Sequence, residues 1–166
     1  MELSLKSEYA ILAMLELAHN FAIAQPLQIR QIALQQHIPD RYLEQLLATL
    51  KRQGLVKSQR GSKGGYILAR EPRQISLLEI IQGIEGHDPI SDQKNGKSIN
   101  ESASLSVIRE AWELSQKAAS HVLDNCTLKD LCDRQRQRQI ATTIQPFVIT
   151  ALSPLKFVRS IVRIGD

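Results

Sequence analysis

One short stretch of this sequence holds seven cations and four of its glycines, and both residue types serve the handling of phosphate. Lys51, Arg52, Lys57, Arg60, Lys63, Arg70 and Arg73 face a single acid, Glu71, a local surplus of six positive charges in a chain whose net charge is +4. Such a patch attracts polyanions, because each neutralised phosphate releases condensed counterions. Gly61, Gly64 and Gly65 lie beside Arg60 and let a backbone come close to a ligand. The run lacks the Gly-Lys-Ser/Thr ending of a nucleotide phosphate loop and sits between strand-like segments rather than before a helix.

Two thiols are the other reactive groups. Cys126 and Cys132 are spaced C-x5-C. Thiolates are good iron–sulfur ligands, but a cluster ordinarily takes four protein ligands. Two readings stand: a pair of reduced, partly buried cysteines, or an atypical cluster, zinc site or redox switch in which a homodimer doubles two cysteines to four. The histidines, His19, His37, His87 and His121, have no metal-ligand spacing, and no catalytic constellation is present. An enzyme is not expected.

The elements that must position the cations follow from periodicity. Ser4 reads as the N-cap of a helix over residues 4–22, with Ile11, Leu12, Leu15, Ala18 and Ala22 at helical spacing. After Pro26 a short helix runs from Gln28 to Gln36. The punctuation His37-Ile38-Pro39-Asp40 opens a third helix, which reaches about Gln53 and stops at Gly54. Leu43, Leu46, Leu47 and Leu50 form its apolar face; Arg41, Glu44, Gln45, Ala48, Thr49 and Arg52 lie opposite. Two β-prone runs, 55–60 and 66–70, then flank the glycine loop as a hairpin. A fourth helix spans about 76–83.

Helix, short turn, helix and basic hairpin is the order of a winged helix-turn-helix, so the fold class is mainly α with a small β-hairpin. The third helix suits the major groove, where Glu44 accepts from a cytosine amino group and Gln45 pairs with adenine. Arg41 or Arg52 takes phosphate or guanine, and Arg60 and Lys63 approach phosphates or the minor groove. The expected DNA-contacting set is Gln28, Arg41, Tyr42, Glu44, Gln45, Thr49, Arg52, Arg60, Ser62 and Lys63.

The organisation reads as a DNA-binding domain over 1–85, a polar linker over 86–100, dimerisation helices over 101–139 and an apolar tail over 140–166 interrupted by Pro146 and Pro154. Within the fifth helix, 101–123, Leu105, Ile108, Trp112, Ser115, Ala119 and Val122 step by threes and fours like a coiled-coil seam. Val107, Ala111, Leu114 and Ala118 make a second stripe, so one stripe is expected on the chain's own domain and one on a second subunit. A sixth helix is expected over 127–139. The charged N-terminus, the lack of an 18-residue apolar stretch and the two cysteines point to a reducing cytoplasm and no membrane segment.

The string Pro39-Asp40-Arg41-Tyr42-Leu43-Glu44-Gln45-Leu46-Leu47, then Gly54-Leu55-Val56 and Arg60-Gly61-Ser62-Lys63-Gly64-Gly65-Tyr66, resembles the IscR/CymR/NsrR (Rrf-two) family of bacterial regulators. Lys6 to Ala10 and Leu77 to Gly86 match as well, and the resemblance covers about residues 1–133. It implies a homodimer that crosses its fifth helices on a roughly palindromic duplex DNA operator, with Glu44 and Gln45 as base readers and Arg60 in the minor groove. At Pro39 and Arg41 some relatives carry backbone-binding serines, for which Arg41 offers a stronger electrostatic contact. Cluster-bearing relatives hold three cysteines just before the dimerisation helix; this chain has none between Gly86 and Leu105. No cofactor is then required for DNA binding. Control by a regulatory protein partner, as in some cysteine-free relatives, and non-specific nucleic-acid binding stand as alternatives.

Overall fold

The computed structural model describes residues 3–61, 64–86 and 102–151, with side chains to residue 141. Residues 1–133 and 134–166 form two separate units. The expected linker over 86–100 therefore lies, apart from Gly86, outside the described residues, as does the tail beyond Ala151.

Helix α1 (Leu5–His19) starts where Ser4 caps it, the Ser4 hydroxyl accepting the Ser7 N–H at 3.1 Å. Its buried face holds Ala10, Ala13, Met14 and Leu17, whose small members let neighbouring helices approach closely. A single turn, Phe21–Ile23, leads to α2 (Ile29–Gln36), which ends on His37 in the left-handed region at φ 53°. Helix α3 (Asp40–Arg52) follows, with Pro39 in the N-cap position, one place earlier than the first-turn position its sequence suggests.

The end of α3 shows why the chain turns where it does. Gly54 adopts φ +72°, its N–H bonds Lys51 O at 3.0 Å, and the Leu55 N–H bonds Leu50 O at 3.0 Å. This paired closure satisfies the last carbonyls of the helix and drives Leu55 into the core, where it is fully buried. Strand β1 (Val56–Gln59) then pairs antiparallel with β2 (Gly65–Leu68), Val56 opposite Leu68 and Gln59 opposite Gly65. Ser76 caps α4 (Leu77–Glu85) by accepting the Glu79 N–H, and Gly86 ends it at φ +83°.

Leu43, Leu47, Leu50, Leu55, Ile75, Ile80 and Leu128 are fully buried in one core with Met14 and Ile32. Leu128 opens α6 (Leu128–Ala151), and a short antiparallel bridge ties that start to α4: Leu77 N–H to Cys126 O at 2.8 Å and Leu128 N–H to Ile75 O at 3.0 Å. Thr127 and Asp130 cap each other, the Thr127 N–H donating to Asp130 Oδ2 and the Asp130 N–H to Thr127 Oγ1.

Two expectations need correction. The sixth helix does not stop near Gln139 but continues through Pro146 to Ala151. A proline inside a helix removes one hydrogen bond and strains one turn, about 3 kcal/mol, without obliging the helix to end. Helix α5 (Ala103–Asp124) also lays neither apolar stripe on its own domain. No residue of α5 is buried; Ile108, Val107 and Leu114 are 65%, 63% and 59% exposed. The half-buried positions are instead Arg109, Gln116, Ala119, Ser120 and Leu123, a largely polar line.

The start of α1 and the end of α4 are joined through one carboxylate. Glu85 accepts hydrogen bonds from the hydroxyls of Ser4 and Ser7, the latter at 2.6 Å, and Lys6 Nζ donates to the neighbouring Ile84 carbonyl. The two hydroxyls, helped by Lys6 and opposed by partial burial, hold the Glu85 carboxyl below its ordinary range. The folded state therefore binds fewer protons than the unfolded state in acid. The stabilisation is present above the ordinary carboxylate range and is lost as pH falls through the lowered value. Because Glu85 is solvent-exposed, water screens the effect and keeps it small. Melting temperature measured against pH should fall on the acid side, and Glu85→Gln should flatten that limb; an unchanged acid limb in the variant would exclude Glu85 as its source.

Candidate nucleic-acid interface

The face of α3 opposite the core carries the residues its sequence marks for base contact. Leu43, Leu46, Leu47 and Leu50 are at most 2% exposed, which turns Arg41, Glu44, Gln45 and Arg52 to solvent. Glu44 and Gln45 are adjacent and both exposed. An acceptor beside an amide is a pair of groups that can read cytosine and adenine edges.

The remaining expected residues divide by what they touch. Thr49 is half-buried, donates to the Gln45 carbonyl at 3.0 Å, and accepts from the Arg52 guanidinium at 3.1 Å. Arg52 is thereby held along the helix. Tyr42 is half-buried with its ring edge-on to Tyr9, centroids 5.8 Å apart, so its ring packs beside the core. Lys51 Nζ donates to Ser58 Oγ at 2.6 Å and couples the last turn of α3 to β1. Gln28 is exposed at the N-cap of α2, its N–H donating to Gln31 Oε1 at 2.8 Å. Arg60 is exposed where β1 ends. Ser62 and Lys63 lie outside the described residues.

The hairpin is not an independent flap. Leu27 and Tyr66 exchange backbone hydrogen bonds, Leu27 N–H to Tyr66 O at 3.0 Å and Tyr66 N–H to Leu27 O at 2.8 Å. The wing is thus joined to the residue just before the N-cap of α2. A Cβ on Gly65 would stand 2.3 Å from the Leu27 carbonyl oxygen, so only glycine admits this approach. A Cβ on Gly64 would meet Gln59 O at the same distance, inside the turn closed by the Gly64 N–H to Gly61 O bond. Reading the glycines as letting the backbone come close to a ligand missed Leu27; the doubled Gly64-Gly65 was the available signal.

The cationic cluster is smaller at the interface than its sequence count. Arg70 pairs with Glu79 and Arg73 with Glu71, which assigns both arginines to the base of the hairpin. Lys51, Arg52, Lys57 and Arg60 remain as exposed cations on α3 and the wing among the described residues.

Within one chain the two cysteines have different surroundings. Cys132 is 8% exposed and belongs to the apolar core, Cys126 is half-buried on the bridge to α4, and the two are not disulfide-bonded. Among the described residues no group of three or more His, Cys, Asp and Glu side chains is placed to hold a metal ion. Nor, among them, is any helix long and apolar enough to cross a membrane.

Helix-turn-helix and hairpin together define a winged-helix protein of the kind that binds DNA. Residues 3–134 match the Rrf2 family, described as iron-dependent transcriptional regulators, and the chain belongs to that family. It is 39% identical over 137 residues to the HTH-type transcriptional regulator CymR of Bacillus subtilis, covering 79% of this chain and 89% of CymR. Among solved structures it is similar to T. potens IscR, with TM-score 0.69, 37% identity and coverage of 84% and 91%. It is equally similar to CymR, the global cysteine regulator of B. subtilis, with TM-score 0.69, 36% identity and coverage of 81% and 98%. The relatives are named transcriptional regulators, not enzymes, and this chain is a transcription regulator of their family.

Gly65→Ala should lower stability by about 2 kcal/mol or more, the scale of a forced backbone clash. It should also raise hydrogen exchange at Tyr66 and Leu27 before that at α3. Unchanged stability and exchange would mean the wing is not anchored through Leu27.

Proposed function

We infer that the chain is a homodimeric regulator of a roughly palindromic operator, with α3 in the major groove and the wing at the minor groove. The observation that carries this is the exposure of Glu44 and Gln45 side by side on a helix whose opposite face is wholly buried. Glu44 and Gln45 read bases; Arg60 enters the minor groove; Arg41 and Arg52 meet phosphates, with Gln28, Thr49, Ser62 and Lys63 at the margins. Tyr42 acts mainly by holding α3 against Tyr9. All of these contacts come from side chains and backbone, so DNA binding needs no cofactor. The site of action is the bacterial cytoplasm, where the operator lies.

The dimer forms through α5. Leu105, Ile108, Trp112 and Val122 are 47–68% exposed and follow the seam spacing completed by Ser115 and Ala119. Fully burying a large apolar side chain is worth about 1.5–3 kcal/mol, so a second copy of the same helix is a strong attractor for this stripe. The thiols Cys126 and Cys132 play a structural part, Cys132 by packing in the core.

The test separates reading from holding. Glu44→Ala should broaden base preference at one position of each half-site, a change of about 1–3 kcal/mol in discrimination. Arg60→Ala should weaken binding while leaving that preference in place. Equal losses on operator and random duplex for both variants would sink direct readout by α3.

A further inference from the structure

Charge is divided unevenly between the two units. Residues 134–166 carry Arg134, Arg136, Arg138, Lys156, Arg159 and Arg163 against one acid, Asp166, a surplus of five. The whole chain is +4, so residues 1–133, which contain the winged helix and α5, are net −1. The net positive charge of this protein therefore lies in residues 134–166, while the cations of α3 and the wing form a local patch on a unit that is close to neutral. The match to the family ends at residue 134, where this cationic segment begins.

We propose that Arg134, Arg136 and Arg138 of α6 form a second, sequence-independent contact with duplex DNA phosphates; this rests on the DNA-binding reading above. All three are exposed, as are the alternating Gln135, Gln137 and Gln139. Arg134 and Arg138 are one helical turn apart on the same side, and Arg136 lies on the other, so the stretch is polar all round. An anionic membrane draws on helices that set an apolar face beside the cations, and residues 134–139 offer none. Arginine and glutamine are both donors to phosphate oxygens, and such contacts hold a duplex without reading its sequence. These arginines add their phosphate attraction to that of the α3 and wing cations and help keep the protein on DNA while α3 samples sites.

The experiment compares the full-length chain with Arg134→Gln/Arg136→Gln/Arg138→Gln on an operator selected from random duplexes and on a scrambled duplex, across a salt series. Each phosphate contact adds about 0.9 to the slope of log affinity against log salt. The glutamine variant should flatten that slope by about 2 to 3 per protomer, hence about 5 for a bound dimer, on both duplexes, leaving their affinity ratio unchanged. The matching triple lysine variant keeps the charge and should keep the slope, which separates charge from any disturbance of the helix. An unchanged slope in the glutamine variant overturns the proposal, as does a changed affinity ratio. So does an unchanged slope with loss of binding to phosphatidylserine vesicles, which would assign the arginines to a lipid surface. A wild-type chain that binds neither duplex overturns the DNA-binding reading itself, a distinguishable result.

Discussion

Four leucines on one face of α3 set the geometry on which everything else depends. Leu43, Leu46, Leu47 and Leu50 are buried to within 2%, and each such side chain contributes roughly 1.5–3 kcal/mol when removed from water. A roll of the helix by one residue, about 100°, would bring leucines into solvent and take Glu44 and Gln45 inward. The orientation of the polar face is thus a consequence of core burial and needs no contact of its own. The same burial fixes the exit of the chain: Leu55 enters the core through the closure at Gly54, and β1 must start immediately after it.

The wing inherits its position from this frame by two routes. Lys51 to Ser58 links it to the last turn of α3, and the Leu27–Tyr66 exchange links it to the start of α2. A backbone exchange on one strand and a side-chain bond on the other matter because a two-stranded hairpin is marginally stable alone. Arg60 is therefore carried on a braced element, and its distance from α3 is a property of the fold. Arg70, paired with Glu79 of α4, adds a tie at the base, and the Arg73–Glu71 pair is local; both lower the cation density the sequence suggests.

Local signals made most of this legible. Ser4, Ser76 and Gly54 mark helix ends because a cap is a contact between near neighbours, and the leucine spacing of α3 names its buried face directly. What escaped were contacts between distant segments. Nothing near Leu27 announces a bridge to Tyr66, and nothing near Arg70 announces Glu79 as its partner. The end of α6 was read at its basic run, whereas the helix continues beyond it through Pro146, because a helix break is only one of the outcomes a proline permits. The two apolar stripes of α5 were visible in sequence, but spacing cannot say which neighbour covers a stripe; in the single chain neither is covered.

An uncovered seam on α5 and an exposed reading face on α3 make one joint claim, that two copies read two inverted half-sites. Selection of bound sequences from a random duplex library by the purified full-length protein tests it most directly. The account predicts a consensus with two inverted half-sites, their centres separated by about 10 base pairs or a multiple, as two-fold symmetry on B-DNA requires. Recovery of a single asymmetric site, or of no consensus from a protein that binds every duplex equally, would contradict it.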